Sequence, residues 1–253
     1  MKVTFLGTGT SQGIPSIACK CDVCTSFDYR DKRLRTSVHI QTDKLSLIID
    51  TGPDFRQQVL RERIDLLDAI LFTHEHKDHI AGLDDVRGYN YAQQKDMPVY
   101  ARANVIEALK REFAYIFADY RYPGIPRIDI HEMDGSPFSI LGEEIIPIKV
   151  MHYKLPVFGF RIQDFTYITD ANFIADEELE KIKGSKIVVL NALQKEPHVS
   201  HYTLDQAIEV IQKIQPDQAY FVHMGHRLGK HADITKELPA NIHLSYDGLV
   251  LHL

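Results

Sequence analysis

Thr73-His74-Glu75-His76-Lys77-Asp78-His79 decides how the rest of this 253-residue chain is read. His74, His76, Asp78 and His79 can each bind a metal, and their order is H-x-H-x-D-H. The run Leu67-Asp68-Ala69-Ile70-Leu71-Phe72 before them has strand character, and Ile80-Ala81-Gly82-Leu83 after them reads as the start of a helix. The four side chains therefore fall on a loop held between rigid elements. His74 and His76, two apart, can reach one ion; Asp78 and His79, adjacent, can reach a second. Imidazole nitrogen together with carboxylate oxygen suits zinc, manganese or iron.

Composition bounds what such a site can serve. Hydrophobic content of 44% and charged content of 25% are those of a globular domain with a substantial core, and the length permits one large domain or two small ones. A formal charge of −6 argues against broad attraction to nucleic acid or an anionic membrane. No apolar run approaches the length of a membrane span, and Val3-Thr4-Phe5-Leu6 is too short for a signal-peptide core. Three cysteines within six residues make no disulfide framework, so the expected location is the cytoplasm.

Upstream of the metal loop, Gly7-Thr8-Gly9-Thr10-Ser11-Gln12-Gly13 follows a first strand, Lys2 to Leu6. It lacks the Gly-Lys-Ser/Thr ending of a nucleotide loop, so its glycines are expected to serve a tight turn close to the metal centre. Cys19-Lys20-Cys21-Asp22-Val23-Cys24 places three thiols on one loop, enough to clamp a tetrahedral zinc with a fourth ligand from elsewhere. Thr36 to Thr42 and Leu45 to Ile49 read as a hairpin, and Asp50 ends the second strand.

Downstream, Asn104 is expected to cap a helix running to Phe117. Phe113, Tyr115, Phe117, Tyr120 and Tyr122 are expected in core and pocket wall. A strand-rich half follows, in which His152 follows the run Ile145 to Met151 and Asp170 ends Tyr167-Ile168-Thr169. Thr203-Leu204-Asp205-Gln206 reads as a capping box for a helix over Leu204 to Ile214. The strand Ala219 to Val222 then runs into His223-Met224-Gly225-His226. Ile242 to Tyr246 and Leu249 to His252 are expected to form a terminal hairpin around Asp247-Gly248.

H-x-H-x-D-H resembles the signature of the metallo-β-lactamase superfamily, and nearly the whole chain is similar to its phosphoribosyl cyclic phosphodiesterase group. That resemblance implies one αβ/βα sandwich over residues 1–253: two mixed sheets with helices outside and a site along one edge. It implies that His152 completes the first ion's ligands, Asp170 bridges both ions and His223 joins Asp78 and His79 on the second. It gives Asp50 the task of orienting the metal loop. It further implies a structural zinc on Cys19, Cys21, Cys24 and His226, with His231 as the alternative fourth ligand. The implied reaction is phosphodiester hydrolysis by a hydroxide held between two manganese or zinc ions. His201, or else His198, would protonate the leaving group. A small phosphodiester is the implied partner and a homodimer the implied assembly. Thioester, lactone and tRNA 3′ processing, cofactor-biosynthesis accessory roles and a non-enzymatic metal-binding module are the alternatives within reach of the same fold.

Overall fold

Short apolar runs bounded by Gly, Asp or Pro become strands here, and longer periodic ones become helices. In the computed structural model, which describes residues 1–119 and 123–253, the first half holds strands β1 (Lys2–Gly7), β2 (Ser37–Gln41), β3 (Ser46–Ile49), β4 (Ala69–Leu71), β5 (Met97–Ala101) and β6 (Ile128–Glu132). Its helices are α1 (Phe55–Glu62), α2 (Lys77–Ile80), α3 (Arg87–Gln93) and α4 (Ala103–Glu112). The second half holds β7 (Phe138–Ile140), β8 (Glu143–His152), β9 (Leu155–Ile162), β10 (Phe165–Tyr167), β11 (Phe173–Ile174), β12 (Ile187–Asn191), β13 (Gln218–Val222), β14 (Ile242–Leu244) and β15 (Val250–His252). Its helices are α5 (Asp176–Ile182), α6 (Leu204–Ile214) and α7 (His231–Ile234).

Two mixed sheets result. The first has the order β15-β1-β2-β3-β4-β5-β6, the second β11-β8-β9-β10-β12-β13-β14 with β7 beside β8. Each passes from antiparallel to parallel pairing, at β3/β4 in one sheet and at β10/β12 in the other. Phe5, Val38, Leu47, Phe160 and Tyr167 fill the space between the sheets. Val105, Leu109 and Phe55 cover the outer face of the first sheet, and Leu204, Ala207 and Ile211 that of the second. The helix α6 has the expected bounds because its signals are local. Thr203 accepts from the Gln206 N–H and Gln206 caps back, which contributes about 1 kcal/mol. Leu204, Ala207, Ile211 and Ile214 then bury one stripe, at roughly 1.5–3 kcal/mol per large side chain.

Several expectations need correction. The chain does not end in a hairpin: β14 pairs in parallel with β13 in the second sheet, while β15 pairs with β1 in the first. Asp247-Gly248 is the crossing between sheets, held by the Thr8 hydroxyl and the Leu34 N–H on the Asp247 carboxylate and by the Gly248 N–H on the Phe5 carbonyl. Helix α2 begins at Lys77, so Asp78 and His79 lie within a helical turn, and His152 is the last residue of its strand. Asn104 is not a cap. It lies inside the first turn of α4 and donates to Glu75, and the helix stops at Glu112. Phe113 is core, as expected, but Tyr115 is 44% exposed with its hydroxyl on Asp84. Tyr120 and Tyr122 lie outside the described residues.

Candidate metal centre

Every side chain of the centre leaves from the carboxyl end of a strand. Asp50 follows β3, the His74–His79 stretch follows β4, His152 ends β8, Asp170 follows β10 and His223 follows β13. Three of these positions turn the chain out of the sheet through left-handed backbone: Asp50 at φ 65°, Asp170 at φ 55° and His223 at φ 53°. Aspartate and histidine tolerate this region better than most residues, and such strain collects at functional sites.

The side chains converge as two triads. His74, His76 and His152 offer nitrogens within 4.8 Å of one another, and so do the ligand atoms of Asp78, His79 and His223. Asp170 lies between them, with Oδ2 3.2 Å from His79 Nε2 and Oδ1 3.2 Å from His223 Nε2. It also groups with His74 and His79. Apart from His76, which is exposed, and Asp78, which is half-buried, all are buried.

The surroundings aim these groups. Asp50 is completely buried; its Oδ1 accepts the Thr73 N–H at 2.8 Å and its Oδ2 the Thr73 hydroxyl at 2.8 Å and the His79 ring at 2.7 Å. Since the Thr73 hydroxyl proton is committed to Asp50, the 2.9 Å contact with His74 Nδ1 must be donated by the ring. His152 Nδ1 likewise donates to the Ser200 carbonyl at 2.9 Å. In its neutral form each of the three rings therefore presents an Nε2 lone pair to the centre, as a metal requires. His74 Nε2, His79 Nε2 and both His223 nitrogens have no hydrogen-bond partner among the described residues although buried. Nitrogens left so, facing carboxylates, fit a cation.

Electrostatics point the same way. Burial works to raise Asp78 and Asp170, but the neighbouring imidazoles outweigh it and hold both carboxyls below their usual range. Burial works against a charged His79, yet Asp78, Asp170 and Asp50 hold it well above its ordinary value. Burial and His79 push His74 well below. The pocket demands positive charge, and the residues fit divalent ions.

His201 is buried, with Nε2 2.9 Å from Asp170 Oδ1 and Nδ1 3.1 Å from both Ser200 Oγ and His198 Nδ1. Burial, outweighing Asp170, lowers it to about 4. His198 is exposed and contacts His201 and Ser200 without reaching Asp170 itself. The glycine loop does pass close by: Gly9 bridges to Met224, and a Cβ on Gly7 would lie 1.9 Å from the Arg35 carbonyl oxygen. Thr73 and Ser200, and Thr169, whose hydroxyl donates to Asp170 Oδ2 at 2.8 Å, are among the partners that sequence reading missed. Nothing in their identity marks them except position beside the histidines and Asp170.

A second cluster stands apart. His226 Nδ1 lies 3.2, 3.4 and 3.6 Å from the sulfurs of Cys19, Cys21 and Cys24. In a tetrahedron with Zn–S about 2.3 Å and Zn–N about 2.0 Å the S···N edge is about 3.5 Å, so these four residues fit zinc. Backbone N–H groups reach two sulfurs: Cys24 donates to Cys21, and Ser16 to Cys24. The first bond, against burial, helps bring the Cys21 thiol down to about 6, whereas burial pushes Cys24 up to about 11. His231 is elsewhere, its Nδ1 3.2 Å from Arg33 and its backbone N–H donated to Asp31.

Comparison with known proteins agrees with this architecture. Residues 46–224 match the family described as the beta-lactamase superfamily domain. A diphosphatase from the PhnP family superposes with a TM-score of 0.93 at 39% identity, over 100% of this chain and 97% of that one. Zn(2+)-bound PqqB from Methylobacterium extorquens shares the fold, with a TM-score of 0.80 at 17% identity and full coverage of both chains. The octanoyltransferase of Porphyromonas gingivalis is 40% identical over 252 residues, 98% of this chain. The chain spans about half, 51%, of that protein. By sequence and by fold, the chain belongs to the metallo-β-lactamase superfamily, in its PhnP-like group.

Proposed function

We propose that this protein hydrolyses a phosphorus–oxygen bond in small phosphodiesters, cyclic ribosyl phosphates and diphosphates included, using two divalent cations, manganese or zinc. The observation that carries this reading is the pair of triads, His74/His76/His152 and Asp78/His79/His223, with Asp170 between them. Similarity to a diphosphatase of the PhnP family supports phosphorus as the centre attacked. Two bound cations would lower the pKa of a water from 15.7 toward about 7 and neutralise phosphoryl charge. The chain's own residues do the rest. Asp50 and Thr73 lock the rings of His79 and His74. Asp170 sets the separation of the two triads. Although burial disfavours its charged form, His201, with Nε2 on Asp170 and Nδ1 facing His198, is the side chain placed to hand a proton to the departing alkoxide once substrate and ions are bound. A closed zinc site on Cys19, Cys21, Cys24 and His226 stays outside the chemistry.

A second reading, an acyl thioester as substrate, draws on the similarity to the octanoyltransferase, of which this chain spans about half. One panel decides between them: bis-p-nitrophenyl phosphate, 5-phosphoribosyl 1,2-cyclic phosphate, a diphosphate diester and an octanoyl thioester, with elemental analysis alongside. Phosphodiester or diphosphate turnover lost in Asp170→Asn supports the proposal. Thioester cleavage with no release of phosphate ester overturns it.

A further inference from the structure

His223 is held differently from the other buried histidines of the centre. His74, His79 and His152 each have the outer nitrogen bonded, to Thr73, Asp50 and the Ser200 carbonyl. His223 is 1% exposed, and neither of its nitrogens has a hydrogen-bond partner among the described residues. Its ring direction rests on stacking against His201 and His79, not on a hydrogen bond, and on backbone that itself sits at φ 53°. On its amino side that backbone is held by β13, where the Ala192 N–H donates to the Val222 carbonyl at 3.0 Å, and on its carboxyl side by a separate set of bonds. The Met224 N–H donates to the Thr8 carbonyl at 3.0 Å, and the Thr10 N–H donates to the Met224 carbonyl at 3.0 Å. The Gly225 N–H donates to the Leu193 carbonyl at 2.8 Å. One residue later His226 enters the cysteine cluster.

We infer that the cysteine cluster is a positioning device for His223: an ion held by Cys19, Cys21, Cys24 and His226 fixes the backbone that aims His223, so the Asp78/His79/His223 position binds its ion tightly only when the cysteine site is filled. The cluster takes the place of the outer hydrogen bond that the other rings possess. The inference rests on the dinuclear reading of the centre. Loss of an outer partner weakens metal affinity 10–100-fold, and emptying the cysteine site has an effect of that size on one position only. The His74/His76/His152 position, fixed by Thr73 and Ser200, keeps its affinity.

The test uses the full chain loaded with cobalt(II). The thiolate-to-cobalt charge-transfer band reports the cysteine site, and the ligand-field bands with elemental analysis report the centre. In His226→Ala the charge-transfer band is lost and the second catalytic ion leaves at roughly 10–100-fold lower chelator concentration, while the first stays. In His226→Cys, which restores four ligands, both return. Circular dichroism establishes that each variant is folded. Should His226→Ala not fold, p-hydroxymercuribenzoate titrated into cobalt-loaded wild type, read while the far-ultraviolet spectrum remains native, decides the same question. Both catalytic ions retained with unchanged affinity after the cysteine site empties would overturn the inference. Failure of the dinuclear reading looks different: wild-type protein with a filled cysteine site would then bind one further ion or none.

Discussion

The two clusters are assembled from very different lengths of chain. The candidate ligands of the metal centre draw on four strand ends, one in the first sheet and three in the second, and run from His74 to His223. The cysteine cluster takes three of its four members from one six-residue stretch and only His226 from afar. The first exists only when both sheets are formed and packed, whereas the second needs a loop and one returning segment. The centre also repays its long-range assembly with buried carboxylates that concentrate negative charge, while the cysteine loop lies near the surface, Cys19 and Cys21 being only half-buried. On the proposed reading, chemistry belongs to the first and clamping to the second.

Substitutions can break this contrast or sharpen it. The largest effect is expected at the residue common to both triads. Asp170→Asn keeps the left-handed backbone, which asparagine tolerates, and removes the shared charge. Phosphodiester turnover should fall by more than about 100-fold, beyond what loss of a mere outer partner produces, with the cysteine-site ion retained on elemental analysis. His201→Ala should lower kcat about 10²–10⁴-fold on alkoxide leaving groups and far less on p-nitrophenolate, which departs without a proton. Equal losses on both leaving groups would assign His201 to holding Asp170 instead. Asp50→Asn, which leaves one oxygen to serve Thr73 and His79, should weaken metal binding about 10–100-fold by chelator competition without touching the cysteine site.

The smallest effect separates stability from activity. His39 is buried beside Ser46, far in sequence from both clusters, and burial pushes its ring down to about 4. Its contribution is present above pH 6.5 and is lost as pH falls toward 4, because the unfolded chain takes up the proton first. The loss amounts to about 3 kcal/mol for a shift of this size. His39→Gln should flatten the stability–pH curve in chemical denaturation over that range and leave the pH profile of turnover in place. A profile that moved with it would mean that unfolding, not the centre, governs activity in acid.

How much of this was legible depended on how local each signal is. His74, His76, Asp78 and His79 share one short motif, so their grouping needed no fold. The Thr203/Gln206 box fixed the start of α6 for the same reason. His152, Asp170 and His223 became interpretable only by resemblance, because a lone histidine or aspartate at a strand end looks like any other. The bond from Asp50 to His79 spans 29 residues, so sequence suggested the role and only coordinates supply the geometry. Asp247-Gly248 did announce a turn, but a turn says nothing about which sheet receives the next strand. The two-residue β11 and the single-turn α7 fall below what periodicity can register.

The left-handed turn-outs at Asp50, Asp170 and His223 have one more consequence. Because these three groups leave their sheets at the carboxyl ends of strands, the loops farther out, past the short segments that clamp them, can change in length and composition while the ligands keep their places. Selectivity and reactivity thus occupy separable parts of the chain. A lineage could exchange one substrate for another by rewriting loops alone, which is why names as different as diphosphatase and PqqB can accompany a shared scaffold.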